Sequence, residues 1–459
     1  MSYLKRKIDQ YLDGWYKSKS KKPLIIKGAR QIGKTKSIKE FAKRHYDHLI
    51  DINFVLNAEY RDIFDNGYAV DTIIKNISLK NPSWKFVPGK TLIFFDELQK
   101  CVNAATSLKS FCEDGRYDVI CSGSLMGLSY KEIESVSTGN KTDYNMYSMD
   151  FEEFLWALNY KEEQIEDLYA HMKELRPLSQ IEFNVFLEHF HEYMVLGGMP
   201  AVLQHYVEQK NYSGILDLQR QIILDYEEDI TKYAEGLDKT KILNVFRKIP
   251  VFLGKENKKF RISKVAHGAR SREYIGVTDW LKDAGMVNIS YCLNELALPL
   301  RGNYDPNNFR IYFMDTGLLV ASLDEEASKD LRKNKNFNTY KGAIYENVVG
   351  DMLKKSGYDL FFFKKEDGTQ EIEFFVRDAD SLIPIDVKTR DGRPQAMINL
   401  INDNKVEDIK YGIKLAEKNI GFKDNIYTFP YFLSFLIKRF LNEKNITSEL
   451  GDMARLSSF

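Results

Sequence analysis

Short unbroken apolar runs punctuate the first third of the chain. Leu24–Ile26 and Leu92–Phe95 each break at polar or glycine residues, and "YDVICSGSLMG" from Tyr117 has the same form. Such runs suit parallel strands covered on both faces. Behind the first comes a stretch with Ile38, Phe41 and Ala42 on one side, the spacing of a helix. The middle changes period: "MDFEEFLWALNY" and "ILDLQRQIILDYEEDITKYA" place apolar residues three and four apart, with "LGGMP" (196–200) as a break between helices. From about Lys241 a helix ends near Leu253. There follow "ISKVAHGA", then "SREYIGVTDWLKDAG" with Ser271 as N-cap, Gly285 as stop and Tyr274, Val277, Thr278 and Leu281 on one face, then "MVNISYCLN", the pattern of a helix-turn-helix with its recognition helix followed by a β-ribbon, often a DNA reader. The last part predicts a helix over "YKGAIYENVVGDMLKKSG" with Ile344, Val348 and Leu353 inward. Strands "DLFFFKK" and "EIEFFV" join around Glu366-Asp367-Gly368, and "LIPIDVKT" is a further strand. The fold class is α/β.

Composition changes this picture little. At roughly 150 residues per domain, 459 residues suggest about three domains. No apolar run approaches the roughly 20 residues that span a bilayer, so no membrane segment is expected. The opening "MSYLKRKIDQYLDGWY" is charged throughout and does not read as a secretory signal. Cys101, Cys112, Cys121 and Cys292 form no CxxC pair; they read as reduced thiols of a cytoplasmic protein. Basic and acidic residues balance at 66 each, so any contact with nucleic acid must be local.

The candidate chemistry starts at Gly28-Ala29-Arg30-Gln31-Ile32-Gly33-Lys34-Thr35, followed by Lys36, a GxxxxGK[ST] loop between a strand and a helix. Gly28 and Gly33 can take backbone angles other residues resist, turning successive N–H groups toward a polyphosphate. The helix N-terminus favours the anion, Lys34 reaches the β and γ phosphates, and Thr35 offers a hydroxyl to Mg²⁺. ATP with Mg²⁺ is the expected ligand. Asp96 and Glu97 close the "TLIFFDELQK" strand, where an acid meets a ligand in the crevice. Asp96 is assigned to the Mg²⁺ shell and Glu97 to polarising the attacking water; the bland alternative is a cap for the next helix. Ser122 or Ser124 on the third strand is placed to sense the γ phosphate, or simply to turn the chain.

In "EIEFFVRDADSLIPIDVKTR", period two sets Glu371 and Glu373 on one face of their strand, and Asp386 and Lys388 on one face of theirs. If those strands are adjacent, Glu373 and Asp386, with Glu346 as a third carboxylate, form a second Mg²⁺ site beside Lys388. Charged residues facing water from a sheet edge are the alternative.

The ordered set "KPLIIKGARQIGKT", "TLIFFDELQ", "ICSGSLMG", "MDFEEFLWAL", "YMVLGGMPAVL", "IPVFLGKENKKF", "GARSREYIGVTDWLKDAGMV", "RIYFMDTGLL", "GAIYENVV" and "IPIDVK" resembles, nearly end to end, a family of prokaryotic AAA-type ATPases with a C-terminal domain of unknown function (DUF4143-like). The resemblance implies an ATPase core (1–150), a helical lid or connection (151–240), a winged helix (241–330) and a domain like PD-(D/E)xK nucleases (331–459). In that last domain relatives more often carry aspartate where Glu373 stands and glutamate where Asp386 stands. Some relatives have an arginine in the loop "STGNKTDY", where this chain has Asn140 and Lys141; Arg30 and Arg116 are the other candidates for a trans-acting arginine finger. The expected recognition helix carries Arg272 and Lys282 against Glu273, Asp279 and Asp283, two minus three or −1, which favours a protein partner over DNA. Three functional readings stand: an ATP-hydrolysing switch acting on the C-terminal domains, an ATP-gated nuclease on DNA or RNA, and a non-hydrolysing interaction module ordered by ATP. Oligomeric state is not readable.

Overall fold

The computed structural model describes residues 3–123, 139–234, 238–254, 260, 274, 276–323, 325–333, 338–365, 367–368, 370–388 and 392–444. Ser124 and the N-cap position Ser271 lie outside this set, as do Arg272, Glu273 and Glu366. The chain forms two compact units: 1–148 with 224–243 and 276–286, and 149–223 with 244–275 and 287–459. No helix among the described residues is long and apolar enough to cross a membrane.

The first unit is built on a five-stranded, wholly parallel sheet. Its strands are β1 (Leu24–Lys27), β2 (His48–Asn53), β3 (Thr91–Asp96), β4 (Asp118–Gly123) and β5 (Thr142–Asn145), in the order β2-β3-β4-β1-β5. The apolar runs explain the layering. Leu24, Ile25, Ile26, Leu92, Ile93, Phe94 and Phe95 are all fully buried, because residues pointing to either face meet helices rather than water. One face packs Ile25, Ile93 and Phe95 with Ile73, Leu108 and Phe111 in a single apolar cluster. β5 corrects the reading of "STGNKTDY" as a loop throughout. Its polar, half-exposed residues add an edge strand to β1, with Leu24 paired to Thr142. Charged and polar side chains are what an edge strand needs to avoid further pairing, and they hide the strand from apolar-pattern reading.

The second unit opens with helices at Phe151–Ala157, Glu162–Glu174, Gln180–Leu196 and Pro200–Gln209. Asp150 and Ser179 start two of them as capping boxes with Glu153 and Glu182. "LGGMP" does break the helices, and it does more. A Cβ on Gly198 would lie 1.8 Å from the Met149 carbonyl oxygen, and one on Gly197 would lie 2.0 Å from Asp315 Oδ1. Gly198 N–H donates to Asp315 Oδ2 (2.6 Å), and the same fully buried carboxylate accepts from Leu318 N–H to start the Thr316–Ala321 helix. The glycine pair of one motif and the "MDTGLL" of another are thus two sides of one contact.

Beyond these helices runs an eight-stranded mixed sheet. It comprises β6 (Val287–Leu293), β7 (Tyr304–Phe313), β8 (Leu360–Lys364), β9 (Glu371–Asp378), β10 (Ser381–Lys388), β11 (Gly412–Ala416), β12 (Gly421–Lys423) and β13 (Ile426–Pro430), ordered β12-β13-β11-β10-β9-β8-β6-β7. The helix Asn338–Lys355 lies against β6, β7, β8 and β10, with Ile344, Val348 and Leu353 fully buried as expected. The β-ribbon expected to close a separate winged helix is β6 and β7, and it is continuous with this sheet through β6 and β8. The helix read from Ser271 is seen here as Val277–Asp283, entered through Gly276 at φ 79° and left at Gly285 at φ 72°. That helix groups with the first unit, whereas the ribbon groups with the second.

Close backbone approach at Gly198 generates a stability prediction. Gly198→Ala should destabilise by at least about 2 kcal/mol, because backbone rather than a flexible side chain blocks the new methyl. Gly342→Ala, in a helix with nothing among the described residues within 4 Å of the added atom, should be neutral or stabilising by about 0.5–1 kcal/mol. Thermal melts of both variants check this, and equal melting temperatures would contradict it.

Candidate nucleotide site and a second acidic cluster

The glycine loop joins β1 to the helix Lys34–His45 at the carboxyl edge of the parallel sheet. Gly28 has φ 153°, and a Cβ there would come 2.3 Å from the Met146 carbonyl oxygen; Gly33 has φ 94°. Both positions therefore require glycine. Ala29 and Ile32 are buried, and the Ile32 carbonyl accepts from Arg6 Nη1 at 2.8 Å; Lys36 is exposed. Lys34 folds back so that Nζ donates to the Gly28 (3.0 Å) and Ala29 (2.6 Å) carbonyls. Burial pulls its pKa down to about 8, Glu97 and Asp96 resist that fall, and Arg30 adds to it.

Asp96, at the end of β3, is the hub. Its Oδ2 accepts from Thr35 Oγ1 and from Asn53 Nδ2, each at 3.1 Å. Its Oδ1 accepts from the Glu97 N–H (3.1 Å) and from the Ser122 hydroxyl. Strand order makes this meeting possible: β4 lies between β1 and β3, which sets Ser122 between the loop and the acid. Thr35 Oγ1 and an Asp96 carboxylate oxygen are hard donors that fit Mg²⁺. Glu97 holds a left-handed backbone (φ 57°), and Gln99 Nε2 donates to its Oε2. A non-glycine residue in that region is strained, and such strain concentrates at functional sites.

Sequence reading missed several residues here. Asn53 is one; its signal was a polar residue at the carboxyl end of a strand, in register with Asp96. The others sit on the helix Ile215–Tyr233. Asp229 Oδ1 lies 2.5 Å from Arg30 Nη1, Tyr226 donates to the Arg30 carbonyl at 3.0 Å, and Gln31 donates to Asp225 Oδ2 at 2.6 Å. Arg116 is not brought to the site. It precedes β4, on the opposite edge of the sheet, and its guanidinium is paired with Asp114 and Asp71. Lys141 pairs with Asp143 at 2.6 Å.

In the second unit β9 and β10 are adjacent and antiparallel, with Ile385 opposite Phe374. Continuing that register by one residue sets Asp386 opposite Glu373. The Val387 N–H donates to Glu373 Oε2 at 3.3 Å, and Lys388 Nζ lies 2.8 Å from Asp386 Oδ1. Asp386 is fully buried, and its Oδ2 has no hydrogen-bond partner in the described structure. Burial pulls the Lys388 pKa down, but Glu373 and Asp386 outweigh it and hold the ammonium above its ordinary value. Glu346 is also buried, with Arg310 Nη1 3.9 Å from its Oε2. Arg310, only 1% exposed, also pairs with Glu371 and stacks on Phe362 at 4.0 Å. Lys364 completes the set, 2.6 Å from Glu371. Among the described residues, three potential ligand groups converge within 4.8 Å at Asp167, His171 and Glu182. Two of these already have other work: Glu182 closes a capping box and His171 Nδ1 meets the Arg176 carbonyl. Glu346, Glu373 and Asp386 do not converge to that extent.

Residues 20–155 match the model of an AAA domain, residues 187–329 a domain of unknown function (DUF8612), and residues 341–432 a domain of unknown function (DUF4143). No curated protein matches the chain. Similar solved structures include the Walker-type ATPase PABY2304 of Pyrococcus abyssi, at 11% identity and a TM-score of 0.43, covering 70% of this chain and 96% of that one. The Aeropyrum pernix ORC1 protein in complex with DNA is also similar, at 11% identity and a TM-score of 0.27, covering 73% and 92%. The chain carries an AAA-type P-loop ATPase domain, with a domain of the DUF4143 family toward its C-terminus.

Proposed function

We propose that the chain is a Mg²⁺-dependent ATP hydrolase acting as a switch, its nucleotide state governing a winged-helix segment (241–330) and a nuclease-like domain (331–459). The observation that carries this reading is Asp96 linked to the Thr35 hydroxyl with Glu97 beside it. The triphosphate lies along the amides of residues 28–35. Lys34 exchanges the Gly28 and Ala29 carbonyls for β- and γ-phosphate oxygens, and their negative charge restores the proton affinity that burial removes. Thr35 and Asp96 would hold Mg²⁺, which when bound neutralises phosphate charge. Glu97 takes a proton from the water that attacks the γ-phosphorus, and the bond to the ADP oxygen breaks. Gln99 steers the Glu97 carboxylate, and Ser122 keeps Asp96 oriented. A protein is the favoured partner for the winged-helix segment, on charge.

A second reading is an ATP-gated nuclease, favoured by one observation: Glu373, Asp386 and Lys388 meet on adjacent strands, and Asp386 Oδ2 has no hydrogen-bond partner among the described residues. Glu373 and Asp386 would hold a hard cation, and Lys388 would orient or deprotonate the attacking water.

Two measurements separate these readings. Wild-type protein should release phosphate from Mg·ATP, Lys34→Ala should release none, and Glu97→Gln should bind ATP but turn over about 10²–10⁴-fold more slowly. Turnover equal in wild type and Lys34→Ala would remove the hydrolase and favour a module that ATP merely orders. Incubation of DNA or RNA with Mn²⁺ or Mg²⁺ tests the second reading: cleavage should vanish in Lys388→Ala, and cleavage unchanged by that substitution would discard it.

A further inference from the structure

The crest of the glycine loop is tied to the helix Ile215–Tyr233 at three points. These are the Arg30–Asp229 ion pair at 2.5 Å, the Tyr226 hydroxyl on the Arg30 carbonyl at 3.0 Å, and the Gln31 amide on Asp225 at 2.6 Å. Asp229 is 3% exposed, and its Oδ2 has no hydrogen-bond partner among the described residues. The Arg30 guanidinium also lies over the Tyr233 ring at 5.5 Å, and Lys100 lies 4.5 Å from the same ring. Two contacts place this group beside the expected phosphate site. Lys34 Nζ holds the carbonyl of Ala29, the residue next to Arg30, at 2.6 Å. The Tyr233 ring under the Arg30 guanidinium is shared with Lys100, three residues beyond Glu97.

We propose that Arg30 is the γ-phosphate-sensing arginine of this ATPase, supplied from within its own loop and held by Asp229 until a triphosphate draws it away. The inference rests on the ATP-binding reading of that loop. A guanidinium exchanges one carboxylate for a more highly charged phosphate group at little cost in geometry, since both offer paired oxygens. The carboxylate left behind must then be accommodated. Burial already lifts the Asp229 pKa to about 6, with Arg30 and Lys232 pulling it down and Asp225 and Glu97 pushing it up. Losing Arg30 removes the first of the two lowering influences, so Asp229 becomes easier to protonate as the loop fills. A diphosphate lacks the group that attracts Arg30 and leaves the pair closed. The Tyr226 and Gln31 contacts keep the helix registered on the loop, so the exchange at Arg30 is felt by the helix that bears Asp229.

The test is equilibrium binding of a non-hydrolysable Mg·ATP analogue and of Mg·ADP to wild type, Arg30→Ala and Asp229→Asn. Arg30→Ala should weaken the triphosphate analogue by about tenfold more than ADP, with ADP binding reporting an intact loop. Asp229→Asn should tighten the analogue by about threefold or more, because the competing carboxylate is gone. Equal losses of both nucleotides in Arg30→Ala, or unchanged or weaker analogue binding in Asp229→Asn, would overturn the proposal. Should Arg30→Ala bind neither nucleotide, the Asp229→Asn result decides. A wild type showing this triphosphate preference without turnover defeats the hydrolase reading and leaves the latch standing.

Discussion

One carboxylate organises the first unit. Asp96 closes a fully buried strand and gathers contacts from the glycine-loop helix (Thr35), from the strand on one side (Asn53) and from the strand on the other (Ser122). A buried ionised acid costs free energy unless hydrogen bonds replace its water. The elements that bring those donors are therefore fixed relative to one another by the acid itself. Moving any strand by one residue would turn its donor to the wrong face and leave the charge exposed to apolar surroundings. The same arrangement leaves the Thr35 hydroxyl and an Asp96 oxygen side by side at the loop mouth. The constraint that holds the sheet edge together is also what assembles the site.

The second unit meets the burial of charge differently. Arg310 lies inside the mixed sheet and is balanced by Glu371 and Glu346, with Phe362 under its guanidinium plane. A buried pair of this kind is weak evidence for stability, but removing one partner strands a charge. Arg310 thus ties one of the expected ligand carboxylates, Glu346, to the sheet. Asp386 and Glu373 stay close together across β9 and β10.

Much of this was readable in the sequence, for physical reasons. The loop from Gly28 to Thr35 and the strand ending in Asp96 follow from local steric rules and burial, so their pattern is written in consecutive residues. The alternation of Glu373, Asp386 and Lys388 likewise gave the face of each strand; which strands are neighbours required register, which no local window contains. Asn53, Asp229 and Arg310 stayed hidden for that same reason: each meets a partner 43, 199 or 61 positions away. β5 escaped because an edge strand must look polar, and the pairing of β6 with β8 escaped because it is not a local property.

The central claim is that Asp96 and Thr35 form the centre of a Mg·ATP site. ATP affinity measured with excess Mg²⁺ and again with chelator, in wild type and in Asp96→Asn, addresses it directly. The account predicts that wild type binds ATP more tightly with the cation and that Asp96→Asn loses most of that difference. A wild type indifferent to the cation, or an Asp96→Asn variant that keeps the full difference, would contradict it.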